Sequence, residues 1–304
     1  METHALRESA VVVVGSLNAD LSVRVPRLPR PGETISGGPF TRSEGGKGGN
    51  QAVAASRLGA RVWLIAEVGE DPFGESALAE LIHEGVDTSM VRSGREPTGV
   101  AVILVDDQGE NLIAVASGAN LTLGPDRARE AIEGLPVAEA VVLACLEIPD
   151  ETVLAAAKAA ESRGFQMLVN PAPARPLSPE LLSSSRIVIL NQHELAIVAP
   201  HGPKTLLEQG PEAVVVTLGA GGVDLYLRGE SRSHVPAPRV EVADATGAGD
   251  TFCGAFATRL ADGASIAEAT KFAVTAAAIS VRSQGARQGM PRQHDLPETA
   301  EGRA

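Results

Sequence analysis

The sequence predicts an α/β protein with a central, mostly parallel sheet, helices on both faces, and a small antiparallel β lid. Two observations carry the sheet. From Ala140 onward, apolar runs of strand length alternate with helix-forming segments, the pattern of βαβ units. Those runs are continuous, as expected of strands buried on both sides. A third observation carries the lid. Gly99 to Val105 and Asn111 to Ala116 read as strands joined by the hairpin signal Asp106-Asp-Gln-Gly-Glu110.

Taken in order, Ala10 to Gly15 is an apolar run that stops at glycine and reads as a buried strand. Asn18 and Asp20 lie just past its end, where open α/β sheets bind ligands. Leu21 to Phe40 holds Pro26, Pro29, Pro31 and Pro39, so it reads as short edge strands, with Ile35 and Val23 facing one another. Phe40 to Glu44 lacks a strand pattern. Gly45-Gly-Lys-Gly-Gly-Asn50 turns into a helix beginning near Gln51. Arg61 to Val68 is a strand. Asp71-Pro-Phe-Gly opens a helix to about His83, with Asp as cap and Pro in the first turn.

The remaining strands are Ala140 to Leu146, Gln166 to Val169, Ile187 to Leu190 and Ala213 to Leu218, with helices at Asp150 to Ser162 and Ser178 to Ser184. Val223 to Leu227 and Ser231 to Val235 form a hairpin. Helices follow from the 247–250 loop to about Ala261 and over Ile266 to Val281, and Pro291 to Ala304 is a frayed end. Residues 1–17, 46–98 and 117–304 form the main domain. Residues 18–45 and 99–116 form the lid.

The chain has 304 residues and a net charge of −12. That charge argues against a general nucleic-acid binder, so any anion site must be local. The two cysteines, Cys145 and Cys253, lie in apolar segments and read as reduced core residues of a cytoplasmic protein. No run approaches the ~20 apolar residues of a membrane span. Met1 to Ser9 lacks a signal peptide's apolar region.

Chemistry concentrates at Gly247-Ala248-Gly249-Asp250. Small residues run into an acid and then into an apolar helical segment. The turn should open a helix whose free N–H groups and dipole hold an anion. A carboxylate there would repel a phosphate at rest, but fits a base for a hydroxyl that attacks one. The plain alternative is a helix cap. At the earlier glycine turn, a Walker A loop fails because Gly48 follows Lys47 where Ser or Thr is required. A dinucleotide fingerprint fails on its spacing, with Gln51 in place of the last glycine.

Gly45-Gly-Lys-Gly-Gly-Asn-Gln-Ala and Asp244-Ala-Thr-Gly-Ala-Gly-Asp-Thr-Phe resemble the two signatures of the ribokinase (PfkB) family of sugar kinases. Gly15-Ser-Leu-Asn-Ala-Asp20, Asn170-Pro-Ala-Pro-Ala174, Asn191-Gln-His-Glu194 and Thr217-Leu-Gly-Ala-Gly-Gly222 fit in the family's order. The resemblance runs from about Val11 to Pro291. It implies a ribokinase-like fold and ATP-dependent phosphorylation of ribose at its 5-hydroxyl, with Mg²⁺ and K⁺ and a homodimer formed through the lid sheets.

Carried onto this chain, the resemblance makes Asp250 the base and Gly247, Ala248 and Gly249 with Asp250 the anion hole. Asn18, Asp20, Gly46, Lys47, Asn50 and Glu147 would hold sugar hydroxyls, which carboxylates and amides match in pairs. Asn191, Thr217, Gly219, Gly222 and Gly249 would border ATP, and Glu194 would hold Mg²⁺ through water. Asp244, Thr246, Ser280, Ser283, Gly285 and Gly289 would surround the monovalent cation. The family commonly has serine where Gly289 stands, so K⁺ activation is expected to be retained but weaker than in a Gly289→Ser variant. Val274 stands where adenine often meets His or Asn. A nucleoside kinase would want an aromatic stacking surface, and the chain has one Trp, one Tyr and six Phe. The intact Asp250, Asn191 and Glu194 argue against a silent sugar-binding regulator.

Overall fold

A computed structural model describes residues 10–296. Met1 to Ser9 and residues 297–304 lie outside the described residues; the first part of the expected frayed end is ordered, with Pro291 buried and Gln293–Asp295 in a 3₁₀ turn. The first strand, β1 (Ala10–Val14), is wholly buried. Val11 and Val13 enter one core and Val12 and Val14 the other, which is why it reads as a continuous apolar run. β2 (Asn18–Arg24) and β3 (Phe40–Gly45) follow. Val23 pairs with Phe40, so Ile35 is not its partner. Phe40 to Glu44 is a strand despite its polar sequence, because it is an edge strand whose first four residues are exposed.

Helix α1 (Lys47–Arg57) leads to β4 (Arg61–Gly69). Helix α2 (Pro72–His83) is capped by Asp71, which accepts from Phe73 and Gly74 N–H. Two short strands, β5 (Val86–Asp87) and β6 (Val91–Gly94), then join β4. β7 (Gly99–Val105) and β8 (Asn111–Ala116) form the expected hairpin. The second, smaller sheet has the order β3-β2-β7-β8, with antiparallel outer pairs and a parallel β2–β7 pair at its centre.

From α3 (Pro125–Glu133) the alternation is regular: β9 (Val141–Cys145), α4 (Asp150–Ser162), β10 (Gln166–Asn170), α5 (Pro179–Ser183) and β11 (Ile187–Asn191). The short helices α6 (Gln192–Val198) and α7 (Lys204–Leu207) precede β12 (Ala213–Thr217) and the hairpin β13 (Val223–Leu227) and β14 (Ser233–Val235). The main sheet runs β14-β13-β12-β11-β10-β9-β1-β4-β5 and is parallel from β12 to β5. Helices α8 (Ala248–Ala261) and α9 (Ile266–Ser280) pack with α1 on one face, and α3 and α4 cover the other. The carboxyl ends of β1, β9, β10, β11 and β12 therefore share one edge with the amino ends of α1 and α8. No helix among the described residues is long and apolar enough to cross a membrane.

Candidate active site

Gly247 is the N-cap of α8, with φ 76°, a conformation open to glycine. A side chain there would also meet the Ala286 carbonyl at 2.7 Å, so this turn touches the loop after α9. The Ala248 N–H donates to the Ala245 carbonyl at 3.2 Å. This engages the Ala248 N–H, one of the four N–H groups of the expected anion hole.

Asp250 lies in the first turn and is buried. Asn50 Nδ2 donates to its Oδ2 at 2.9 Å and Gln51 Nε2 to its Oδ1 at 3.2 Å. The contact exists because Gly254 of α8 lies against Ala54 and the Gln51 carbonyl of α1, so the two helix starts converge. Burial raises the Asp250 pKa, opposed by the Lys47 charge and the amide of Asn50. A carboxylate with raised proton affinity is a better acceptor of a hydroxyl proton than a surface aspartate.

Beside Asp250 stands an acidic, hydrogen-bonded wall. Glu147 accepts from the Lys47 N–H at 3.0 Å and from Ser16 Oγ. Asn18 is buried, and its Oδ1 accepts from Asn120 Nδ2 at 2.8 Å. Its own Nδ2 therefore faces elsewhere as a donor. The Asp20 carboxylate covers Gly45, where any side chain would collide with it. Its pKa is pushed up to about 6, mainly by burial, with Glu147, Glu44 and Asp250 adding and Arg287 opposing. For Lys47, burial would lower the pKa, but the carboxylates of Asp250 and Glu147 outweigh it and raise it. Gly46 caps α1.

A cleft of about 200 Å³ is lined by Lys47, Asn170, Asn191, Glu194, Thr217, Gly247, Gly249, Asp250 and Cys253, among others. Lys47 lines this cleft together with Asn191 and Glu194. Asn191 and Glu194 cap α6 reciprocally: Glu194 N–H donates to Asn191 Oδ1 at 2.9 Å and Asn191 N–H to Glu194 Oε2 at 2.8 Å. Glu194 has its pKa raised by burial. Gly219 and Gly222 flank a 3₁₀ turn just beyond Thr217. Val274 is 5% exposed within the core, so it offers adenine little surface.

Asp244 joins the two expected cation segments. Its Oδ1 accepts from Thr246 N–H and Oγ1, and its Oδ2 from Gly285 N–H at 2.9 Å. Burial works against its charge, but these bonds lower its pKa overall. Ser280 Oγ donates to the Ala277 carbonyl and Ser283 is exposed, so the oxygens on offer are the Asp244 carboxylate and backbone carbonyls, a set that fits a large, weakly hydrated cation. Gly289 bears on the serine variant expected to bind K⁺ more strongly. A Cβ there would stand 2.0 Å from the Ser280 carbonyl oxygen, so a serine would require the backbone here to shift.

Four residues that sequence reasoning left without a role belong to this network. Gln51 bridges Asp250 and Asn170 Oδ1, the latter at 3.1 Å. Ser16 and Asn120 hold Glu147 and Asn18. Arg287, 3% exposed, donates to Asn50. Gln51 had a local signal, a polar residue beside Asn50 at a helix start. Arg287 had none.

Residues 8–293 match the profile of the pfkB family of carbohydrate kinases. A ribokinase of Bacillus subtilis is 39% identical over 289 residues, which is 95% of this chain and 98% of that protein. A deoxyribokinase of Salmonella typhi is 34% identical, covering 92% of this chain and 95% of its own. The solved structure of Arabidopsis thaliana ribokinase complexed with ribose and ATP superposes with a TM-score of 0.85 at 34% identity, covering 93% of this chain and 96% of that one.

Proposed function

The chain belongs to the pfkB family of carbohydrate kinases, and we propose that it is a ribokinase, transferring the γ-phosphoryl group of ATP to the 5-hydroxyl of ribose. The observation that carries the reading is the Asp250 carboxylate, buried at a helix start and held at both oxygens by Asn50 and Gln51. The two amides leave the carboxylate one orientation, and burial keeps its proton affinity above that of a surface acid. Asp250 takes the proton of the 5-hydroxyl as its oxygen forms a bond to the γ-phosphorus and the bond to ADP breaks. The N–H groups of Gly249 and Asp250, with the Lys47 ammonium, face the charge on the transferred group.

Asn18, Asp20, Asn50 and Glu147, around the Gly46 turn, read the sugar hydroxyls. Asn18 and Asn50 act as donors, because their oxygens accept from Asn120 and Arg287, and Asp20 and Glu147 act as acceptors. Asn191, Thr217, Gly219 and Gly222 border the nucleotide. Glu194 fits a Mg²⁺ ion held through water, which would neutralise phosphate charge. Asp244, with carbonyls of the 244–246 and 280–289 segments, fits a K⁺ ion, which would add positive potential behind the anion hole.

Residues 18–45 and 99–116 serve as a lid over the sugar. Edge strand β8 is exposed along its whole length, with Leu112, Ile113 and Val115 more than half exposed, which supports a homodimer through the lid sheets. Two buried free cysteines support a cytoplasmic setting. The test is ATP consumption with ribose, 2-deoxyribose, fructose and adenosine, each with and without K⁺. Ribose should be turned over best, because a sugar lacking a hydroxyl strands buried polar groups. Preference for adenosine or fructose would reject the assignment.

A further inference from the structure

Arg287 stands behind the site, and its guanidinium joins three parts of it that are distant in the chain. Nε donates to Asn50 Oδ1 at 2.9 Å, Nη2 donates to the Gly45 carbonyl at 3.0 Å, and Nη1 pairs with Glu80 at 3.2 Å. The side chain is 3% exposed, so it does not face the cleft directly. Room for it is made in the first turn of α1: a side chain at Gly49 would stand 2.4 Å from Nη2. Its backbone is pinned as well. The Arg287 and Met290 carbonyls both accept from Arg57 Nη1, and Arg57 pairs with Glu84 at 2.7 Å.

Two consequences follow from these bonds. Asn50 Oδ1 is held by a cationic donor, so Asn50 Nδ2 is the end that meets Asp250. Turned over, the amide would set its oxygen against the Asp250 carboxylate, an acceptor facing an acceptor. The Gly45 carbonyl ends lid strand β3, and Gly46, with φ 81°, is the single residue between it and α1. One guanidinium therefore holds both the amide that orients the base and the joint between lid and helix. Its charge also lowers the Asp20 pKa, against the repulsion from Glu147, Glu44 and Asp250.

We propose that Arg287 is a positioning residue for phosphoryl transfer: it fixes the Asn50 amide towards Asp250 and locks the Gly45–Gly46 joint, so that base and sugar contacts keep one geometry. The proposal rests on the roles given above to Asp250 and Asn50. A merely structural ion pair with Glu80 is the competing account, and the two differ in what restores activity. A planar, five-donor fork reaches Asn50 and Gly45 together, whereas an ammonium is a single point of charge.

The experiment compares the parent with Arg287→Ala, Arg287→Lys and Glu80→Gln, using steady-state kinetics with ribose and ATP, circular dichroism and thermal melting. Loss of geometry at a reacting centre costs about 10²-fold, so Arg287→Ala is expected to lose kcat on that scale while remaining folded. Millimolar guanidinium chloride should restore part of its kcat, and sodium chloride at equal ionic strength should not. Arg287→Lys should stay well below the parent, and Glu80→Gln should remain within about twofold of it. A folded Arg287→Ala or Arg287→Lys with parental kcat would overturn the proposal. So would loss of activity that only tracks loss of folded protein, or that guanidinium does not relieve. If Arg287→Ala does not fold, Arg287→Lys decides between reduced kcat at a parental melting temperature and no effect. A parent inactive on ribose sinks the functional reading and this proposal with it, whereas an active parent matched by its Arg287 variants sinks this proposal alone.

Discussion

Asp20 is expected to make ribose binding depend on pH in a range where an ordinary aspartate would not. Its carboxyl is pushed up to about 6, chiefly by burial, with Glu147, Glu44 and Asp250 adding and Arg287 opposing. The ionised form accepts at both oxygens, whereas protonation turns one of them into a donor. At a pKa near 6, about nine-tenths of the groups are ionised at pH 7 and about one-tenth at pH 5, so the association constant should fall about tenfold. An aspartate at 3.8 would lose less than about a tenth of its ionised form over the same interval. Calorimetric titration of ribose without ATP, from pH 5 to 8, reads this directly. The parent should weaken about tenfold with an inflection near 6, and Asp20→Asn should bind weakly and without that inflection. A change below about twofold in the parent would refute the reasoning. An identical fall in Asp20→Asn would move the titration to Asp250 or Glu194, whose pKa values burial also raises.

The same group has a consequence for stability, with a definite sign. Folding raises its pKa, so the folded state binds the extra proton, and stability falls as pH rises from about 4 to about 6. Above that window Asp20→Asn should melt higher than the parent while losing ribose affinity; a lower melting temperature at pH 7.5 would contradict this.

Three further outcomes follow. Asp250→Asn should cut turnover by roughly 10²-fold or more with ribose binding largely kept, and near-parental turnover would remove it as base. Gly289→Ser should be destabilised by about 1–3 kcal/mol, because its Cβ would meet the Ser280 carbonyl at 2.0 Å; stronger K⁺ activation at an unchanged melting temperature would show that the loop gives way freely. Light scattering at micromolar concentration should report a dimer that Ile113→Glu on exposed β8 disrupts, and a monomeric parent would count against the lid interface.

The parallel sheet was legible because β1, β9, β11 and β12 are buried on both faces and so appear as unbroken apolar runs. β3, β5 and β6 were not, since an exposed edge strand and two strands of two and four residues carry no period to read. α3 went unnamed although Pro125 stands in its first turn. The Gly247–Asp250 loop was legible because its chemistry is local: glycines, an acid and a helix start lie in sequence. The contacts that orient Asp250 and Asn50 cross 199 and 237 positions of chain from Gln51 and Arg287, and no spacing rule reaches that far. Gly289 shows the opposite limit. In the sequence it is a missing ligand, and in the fold any side chain there would require the backbone beside the Ser280 carbonyl to shift.

The most direct test of the account is the structure of the product. Purified protein incubated with ribose, ATP and Mg²⁺ should yield ADP and a sugar phosphate whose phosphorus couples, in ³¹P and ¹³C spectra, to carbon 5. 5-Deoxyribose, which keeps every other hydroxyl, should leave ATP intact apart from slow hydrolysis. Coupling to carbon 1, or phosphorylation of 5-deoxyribose, would contradict the claim that Asp250 activates the 5-hydroxyl.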